Sequence, residues 1–430
     1  MRKSLVFAIP VLLILSAAFL VGFAAPDVLS AQLSRLPERL EMLVKPPESA
    51  EAELPIVQTY YSVLGKLRES YYSQKLDEHQ LTYNAIRGML QALNDPYTRF
   101  LDPESYKRMR EENEGNFVGI GAQLDVNKKQ QVYIKEPLPS SPAVKAGIKA
   151  GDVILKVDDK PIAGLEIDKV VERIRGEEGT KVKLTLLRAN QSKPIDITIV
   201  RRVVQPPVVR SKVLDPKNGI GYIRLYGFNE RSDSQFDAAM NELEKQHVQG
   251  LILDLRQNPG GLLQVAVEIG SRFIEDGPIV IIKDRSGHTE EFNVDRSKHN
   301  HKRYPLVVLV DKQSASASEI VAAAIQDDKA GTIVGTDTFG KARVQTVSAL
   351  LDGSAISVTT AKYLTPKGRD INKVGVKPDI VVEGKEMIEL GDLKQDVQLA
   401  KALGVMKQKL GVPSTSKPTI AQQDGEKPPR

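Results

Sequence analysis

The chain has 430 residues, 41% of them hydrophobic, with a formal net charge of +5 and no cysteine. The missing cysteines exclude disulfides, a thiol nucleophile and thiolate metal sites. The charge is too mild and too scattered to argue for nucleic acid, and the length suits roughly two to four domains.

Arg2 and Lys3 precede a run from Leu5 to Ala25 that carries no charge. The run is long enough to span a bilayer, and Pro10 is tolerable in a membrane helix. Positive residues ahead of it place the rest of the chain outside the cytoplasm. Small residues at Ala24, Ala25 and Ala31 leave cleavage open. Segment 1–25 therefore reads as a signal anchor or a signal peptide, with the anchor preferred. Segment 26–54 is rich in Pro, Glu and Ser and reads as a linker. Ile56 to Ser73 is patterned as an amphipathic helix. A second helix is expected from Asp77, where Gln80 completes a capping box. Leu81, Ala85, Met89 and Leu93 then recur every four residues. Two such helices bury little alone and must dock on something. D-P-Y-T-R-F-L-D-P at 95–103 ends the second one in a turn.

Gly115 to Val203 has the pattern of a small domain. F-V-G-I-G-A-Q-L at 117–124 is a glycine-punctuated strand, and Gln131 to Lys135 is another. S-S-P-A-V-K-A-G-I-K-A-G-D at 140–152 leads into a third. Ile167, Val170, Val171 and Ile174 form one helix face. Arg175 follows at the helix end, where a cation suits the dipole. Val182, Leu184 and Leu186, then Ile195, Ile197 and Ile199, alternate as hairpin strands.

After Pro206 and Pro207, G-I-G-Y-I-R-L-Y-G-F at 219–228 opens on a strand. Ser232 to Lys245 has helical spacing. Leu251 to Leu255 is a buried strand that runs through Asp254, Arg256 and Gln257 into N-P-G-G at 258–261. A helix is expected over Leu262 to Phe273. Val307 to Val310 is unbroken apolar sequence, the mark of a strand buried on both faces. Ser314, Ser316 and Ser318 follow, separated by single alanines, and Ile320, Val321, Ala324 and Ile325 recur at helical spacing. The serines thus fill a strand-to-helix turn. A hydroxyl there can sit beside N–H groups that stabilise a developing anion; an ordinary helix N-cap fits the same residues. Glu319 is expected to hold the turn. Thr332 to Gly335 reads as a second buried strand, and Lys341 follows Phe339 and Gly340. Buried strands alternating with helices indicate βαβ units. Ile356 to Tyr363 alternates as a strand, Leu393 to Leu410 is an amphipathic helix, and Gly411 to Arg430 is polar and proline-rich.

A nucleophilic serine needs a base. The histidines are His79, His247, His288, His299 and His301, and none has a motif-like setting. His301 is the nearest to the serines in sequence. The other candidate is a lysine made neutral by desolvation, with Phe339 and Gly340 as its apolar flank, and Lys341 is the natural one.

S-A-S-A-S-E at 314–319, F-G-K at 339–341 and V-Q at 344–345 resemble the carboxyl-terminal-processing, or tail-specific, proteases. So do A-I-R-G-M-L at 85–90 with D-P-Y-T-R-F-L, and Y-L-T-P-K-G-R-D-I-N-K-V-G-V-K-P-D at 363–379. The resemblance covers about residues 55–405. It implies that Ser316 is the nucleophile, Lys341 its base and Gln345 a support for the lysine. It implies an oxyanion hole made by the N–H groups of Gly261 and Ala317. The family usually has glycine where Ala342 stands. The phrase at 140–152 resembles a PDZ domain, which takes a peptide C-terminus as an added strand. Phe117, Val118, Gly119, Ile120 and Gly121 would form its carboxylate loop, and Arg175 would couple its position to the protease.

The fold so implied is α/β, with a crotonase/ClpP-like spiral βαβ core, an inserted-type PDZ domain, and helical N- and C-terminal regions. The domains would be an N-terminal helical region at 55–114, PDZ at 115–203 and catalytic at 204–385. A C-terminal helical region at 386–410 and a disordered tail at 411–430 would follow. The function implied is a serine endopeptidase that recognises protein C-terminal tails and works through an acyl-enzyme. A catalytically impaired PDZ scaffold and a crotonase-like lyase are the alternatives. No cofactor, metal or nucleic acid is implied. The partners would be protein substrates, a membrane through the N-terminal segment, and further copies in a homodimer or higher oligomer. The location would be extracytoplasmic: membrane-anchored, or periplasmic or secreted after cleavage.

Overall fold

The computed structural model describes residues 50–72, 75–127, 129–189, 191–384 and 391–412. The charge-free run at Leu5–Ala25 and the tail from Pro413 onward lie outside the described residues. Among the described residues no helix is long and apolar enough to cross a membrane. The chain divides into two compact units, 1–82 and 83–430.

In the first unit a helix spans Ala50–Ser70. Near its end Arg68 forks onto the Glu78 carboxylate through Nε and Nη2, each at 2.6 Å. Asp77 Oδ1 accepts the Gln80 N–H at 2.9 Å, which makes the expected N-cap of the helix Glu78–Gln91.

In the second unit the D-P-Y-T-R-F-L phrase follows the helix Glu78–Gln91. It is more than a turn: Arg99–Leu101 is a strand, antiparallel to Ser357–Ala355. Helix α1, Pro103–Glu114, follows at once. The sequence reading assigned no helix here because α1 is polar all round and buries no residue. What starts it is local. Asp102 accepts the Ser105 N–H at 2.9 Å, and Pro103 holds the first helical position, where its missing N–H costs nothing.

The sheet of the small β-domain has six described strands: five antiparallel ones in the order 122–126, 132–137, 153–157, 181–187, 195–200, and the short Lys160–Pro161 paired with 153–157. The strand Ala122–Val126 is its edge. Helix α2, Ile167–Ile174, turns Val170 into a core of Ile134, Val182, Leu184 and Leu186, all fully buried. The last turn of α2 leaves carbonyls without intrahelical partners. Buried Arg201 fills the need: its Nε donates to Ile174 O at 2.7 Å, and its Nη2 to Arg173 O at 3.3 Å.

The large domain is a sheet with helices on both faces. Strands β1 (Ile220–Leu225), β2 (Gly250–Asp254), β3 (Leu306–Val310) and β4 (Thr332–Gly335) are parallel and adjacent in that order. Between β1 and β2 runs helix α3, Ser232–Lys245; between β3 and β4 runs α4, Ala317–Asp327. Successive strand residues face opposite ways. Leu251, Leu253, Val308 and Val310 pack with Phe236 of α3 and Val321 of α4. Ile252, Val307 and Leu309 pack the other way, against Leu399, Ala402 and Met406. These last three belong to the C-terminal helix Val397–Lys409. Burial on both faces is why β3 reads as an unbroken apolar run and β2 as one broken only at its end by Asp254. A second, antiparallel sheet pairs Arg343–Ala349 with Ala355–Leu364, and Ala355–Leu364 also pairs with Pro278–Asp284 and Arg99–Leu101.

Candidate active site

The turn between β3 and α4 is pinned from several sides. Asp311 Oδ1 accepts the N–H groups of Gln313, Ser314 and Gln257, each at 3.0 Å. The Ser314 hydroxyl donates to Leu255 O at 2.9 Å, and the Ser318 hydroxyl to Asn258 O at 2.9 Å. Both outer serines are fully buried and serve as struts between the turn and the N-P-G-G loop. Ser316 differs. It is only partly buried, and it has φ 55° and ψ −114° at the N-cap of α4. A positive φ in a non-glycine residue stores of order 1–3 kcal/mol of strain, held in place by the surrounding bonds.

Two glycines let the N-P-G-G loop lie against this turn. A Cβ on Gly260 would come within 2.7 Å of Ala315 O and 2.8 Å of Ala317 N. A Cβ on Gly261, whose φ is 145°, would meet Phe228 O at 2.1 Å. Among the described residues neither the Gly261 nor the Ala317 N–H is used in a hydrogen bond. Ala317 opens α4, where an N–H has no intrahelical acceptor. The pair is thus available for an anion.

Lys341 comes from a different segment and is brought to the same place by Glu319. That carboxylate is fully buried. Its Oε2 accepts the backbone N–H groups of Ser316 and Lys341, each at 2.9 Å. Its Oε1 accepts Gly340 N–H at 2.7 Å and the Thr338 hydroxyl at 2.5 Å. The Tyr363 hydroxyl reaches the carbonyls of Lys341 at 2.6 Å and Ser316 at 3.3 Å. Two loops are thereby fixed to one another through their backbones. Among the described residues no hydrogen bond joins the Ser316 hydroxyl to the Lys341 amine.

The Lys341 amine lies 5.1 Å from the centre of the Tyr97 ring. Burial holds its pKa below the ordinary lysine value; the Arg99 guanidinium pushes the same way and the Glu319 carboxylate opposes. Phe339 does not supply that burial, as the sequence reading had it, because its side chain is 57% exposed. The shielding ring comes from the D-P-Y-T-R-F-L phrase, far away in sequence. Ala342 is fully buried and is not among the residues with positive φ, so its methyl fits where the family usually has glycine. Gln345 sits at a bulge in the strand Arg343–Ala349, and its amide donates to Thr359 Oγ1 at 3.5 Å. His301 is not brought to the turn. Its side chain is 3% exposed, and its ring nitrogens face Asp237 and Glu244 of α3, at 2.8 and 3.4 Å.

Behind the N-P-G-G loop lies a buried ion network. Arg256 donates to Asp254 at 2.6 Å and to Asp396 at 2.7 Å, and all three side chains are fully buried. Asp396 caps the C-terminal helix by accepting the Leu399 N–H at 2.9 Å. That helix is therefore tied to the strand that carries the loop.

In the small domain, a cavity of about 190 Å³ lies between the edge strand and α2. Phe117, Gly119, Ile120 and Gly121 line one end, and Ile167 and Val171 the side. Val118 pairs with Val203 and faces a neighbouring cleft. The Arg175 guanidinium stands 5.3 Å from the Phe117 ring centre, and its Nε is buried without a partner.

A serine turn beside an N–H pair, and a small β-domain with an open strand edge, define a serine-type peptidase carrying a PDZ domain. Residues 219–382 match peptidase family S41, residues 108–187 the PDZ domain, and residues 28–105 the activating protease CtpB N-terminal domain. The chain is 38% identical over 367 residues to the carboxyl-terminal-processing protease of Synechocystis sp. (strain ATCC 27184 / PCC 6803 / Kazusa), covering 84% of this chain and 85% of that one. It is 39% identical over 342 residues to the carboxy-terminal processing protease CtpA of Bacillus subtilis (strain 168), covering 78% and 72%. Among solved structures it is similar to a photosystem II D1 C-terminal processing protease, at 36% identity and a TM-score of 0.48, over 77% of this chain and 89% of that one. The chain belongs to the carboxyl-terminal-processing protease family.

Proposed function

We propose that the chain is an endopeptidase that takes protein C-terminal tails and cuts them with a serine–lysine pair. The Ser316 hydroxyl attacks the scissile carbonyl and gives its proton to the neutral Lys341 amine. The N–H groups of Gly261 and Ala317 hold the oxyanion. Lys341 returns the proton to the leaving amine, an acyl-enzyme remains, and the same lysine activates the water that hydrolyses it. The observation that carries this reading is the Glu319 carboxylate, which accepts the Ser316 and Lys341 N–H groups on one oxygen.

The tail adds a strand to the edge Ala122–Val126, and its carboxylate enters the loop Phe117–Gly121. Arg175 links that loop to the protease, and Gln345 supports the lysine loop. The large domain, residues 204–385, is a crotonase/ClpP-like spiral core beside the PDZ domain at 115–203, with helical regions at 55–114 and 386–410. The enzyme works outside the cytoplasm, as a homodimer or higher oligomer, held to the membrane by the run behind Arg2 and Lys3 or released by cleavage there.

The test is labelling by a fluorophosphonate serine probe together with cleavage of a protein whose tail carries a fluorophore. The expected result is labelling and cleavage by the wild type and neither by Ser316→Ala. Labelling that persists in Ser316→Ala would sink the assignment.

A further inference from the structure

We infer that Arg224 is a specificity residue that receives a peptide carboxylate beside the N-P-G-G loop. This rests on the peptidase reading and adds to it. A cavity of about 650 Å³ lies between the small β-domain and the C-terminal ends of the parallel strands, lined by Phe117, Ala122, Lys135, Arg224, Tyr226 and Gln257 among others. Ligands of open α/β sheets bind at that end of the strands. Arg224 is the penultimate residue of β1, and Gln257 immediately precedes Asn258. A peptide lying in this cavity therefore lies next to the loop that carries Gly261.

The charges in the cavity are unequal. Arg210 is paired with Glu136 at 2.9 Å, and Lys135 with Asp125 at 3.2 Å. Among the described residues no carboxylate pairs with Arg224. Its guanidinium is stacked 4.7 Å from the Tyr226 ring centre. Its Nη2 donates only to the neutral Gln257 amide oxygen at 3.2 Å, and its Nε is buried without a partner. Among the described residues a carboxylate fills the Nε–Nη2 edge of three other arginines, Glu78 on Arg68, Asp152 on Arg188 and Asp254 on Arg256, while backbone carbonyls take that edge of Arg201. That edge is a fixed fork that matches two carboxylate oxygens. Arg224 presents the same fork beside the Tyr226 ring, with the amide of exposed Gln257 on its Nη2. Gln257 can swing to solvent and leave the edge to an acidic group of the substrate. That group is an Asp or Glu side chain of the substrate.

The test uses the full chain and a neutral carrier peptide in which single Gln residues are replaced by Glu, each made with a free or an amidated C-terminus. The expected result is a Glu-over-Gln ratio in kcat/KM of about tenfold at one position, the size of one charge-assisted hydrogen bond. Arg224→Gln should bring that ratio to near one, and Arg224→Lys should leave it intermediate. Gln257→Asn, whose shorter side chain tolerates the positive φ found there, should raise it. A collapse of the free-acid over amide ratio in its place would overturn the side-chain assignment and put the α-carboxylate on Arg224. Anisotropy of the same labelled peptides on Ser316→Ala, with and without Arg224→Gln, reads the ratios without turnover. Failure of the peptidase reading would thus show as no cleavage with the binding ratios intact. Ratios that are the same in wild type and Arg224→Gln, by both readouts, would overturn the assignment.

Discussion

The backbone N–H of Ser316 and that of Lys341 donate to one oxygen, Oε2 of Glu319, at 2.9 Å each. A buried carboxylate is costly unless its lone pairs are filled. Here four donors fill them, three from backbone and one from Thr338. The carboxylate thereby fixes the distance between two chain segments that meet nowhere in sequence. An amide in its place would offer one acceptor oxygen and turn an NH₂ toward groups that are themselves donors.

Glu319→Gln should therefore lower kcat by about 100-fold, the scale of a misplacement of about 1 Å. It should also move the pH profile. The Glu319 charge favours the charged form of Lys341. Removing it should shift the rising limb of kcat/KM to lower pH. A limb that stays in place, or moves upward, would mean that the charge does not act on the lysine.

The three serines should separate cleanly. Ser316→Ala should lose all probe labelling. Ser314→Ala and Ser318→Ala should keep it but unfold more easily, by about 1 kcal/mol each, because each removes one buried hydrogen bond to a carbonyl that keeps a single backbone donor, Asn258 N–H on Leu255 O and Ala315 N–H on Asn258 O. Urea melts with labelling on the same samples would check this. Loss of labelling in a correctly folded Ser314→Ala would put the nucleophile two positions away, at Ser314.

The strand, turn and helix around Ser316 were legible because their signals are local. The β3 run is buried on both faces, and the small residues at 314–318 announce a tight turn. The environment of Lys341 was not legible. It depends on Tyr97 and Arg99, which reach the lysine only because Arg99–Leu101 pairs with Ser357–Ala355. A three-residue strand has no periodicity to read, so the phrase passed as a turn. Helix α1 escaped for the opposite reason: it has a clear cap but no apolar stripe. Arg256 was visible as part of D-L-R, yet its partner Asp396 could not be inferred from spacing.

That partner makes a stability prediction. Asp396→Asn should destabilise the fold by about 3–5 kcal/mol, since it leaves part of a buried charge uncompensated. Burial raises the Asp396 pKa, but Arg256 outweighs it and holds the carboxyl below its ordinary 3.8. A depressed carboxylate contributes stability above its unfolded pKa and loses it as pH falls through the folded one. The gap between wild type and variant in urea midpoint should thus be full at neutral pH and shrink in acid, below that pKa. A gap that grows in acid would be the wrong sign for this pair.

Arg175→Ala should act on regulation more than on chemistry. The guanidinium stands over Phe117, at the closed end of the small-domain cavity. Cleavage of a folded substrate with an exposed tail should fall sharply, while a short unstructured peptide is cut more normally. Equal loss of small-probe labelling in every state would place Arg175 in the chemistry or the fold instead.

The last prediction concerns pH and the base. Only a neutral amine can take the Ser316 proton, and an ordinary lysine is almost wholly charged at neutral pH. Burial lowers the Lys341 pKa, and the Arg99 cation lowers it further. The value of kcat/KM should rise with pH along a limb set by this lysine in the free enzyme. Arg99→Gln removes the repelling cation, so the charged amine gains and the limb should move to higher pH. Activity would then fall at neutral pH and recover in alkali. Lys341→Ala should be inactive, and Lys341→Arg as well, because a guanidinium does not give up its proton in this range. His301→Ala should leave the limb where it is, since the imidazole faces Asp237 and Glu244 on α3. Should His301→Ala abolish turnover while a folded Lys341→Ala retains it, the base is the histidine and the serine–lysine chemistry is wrong.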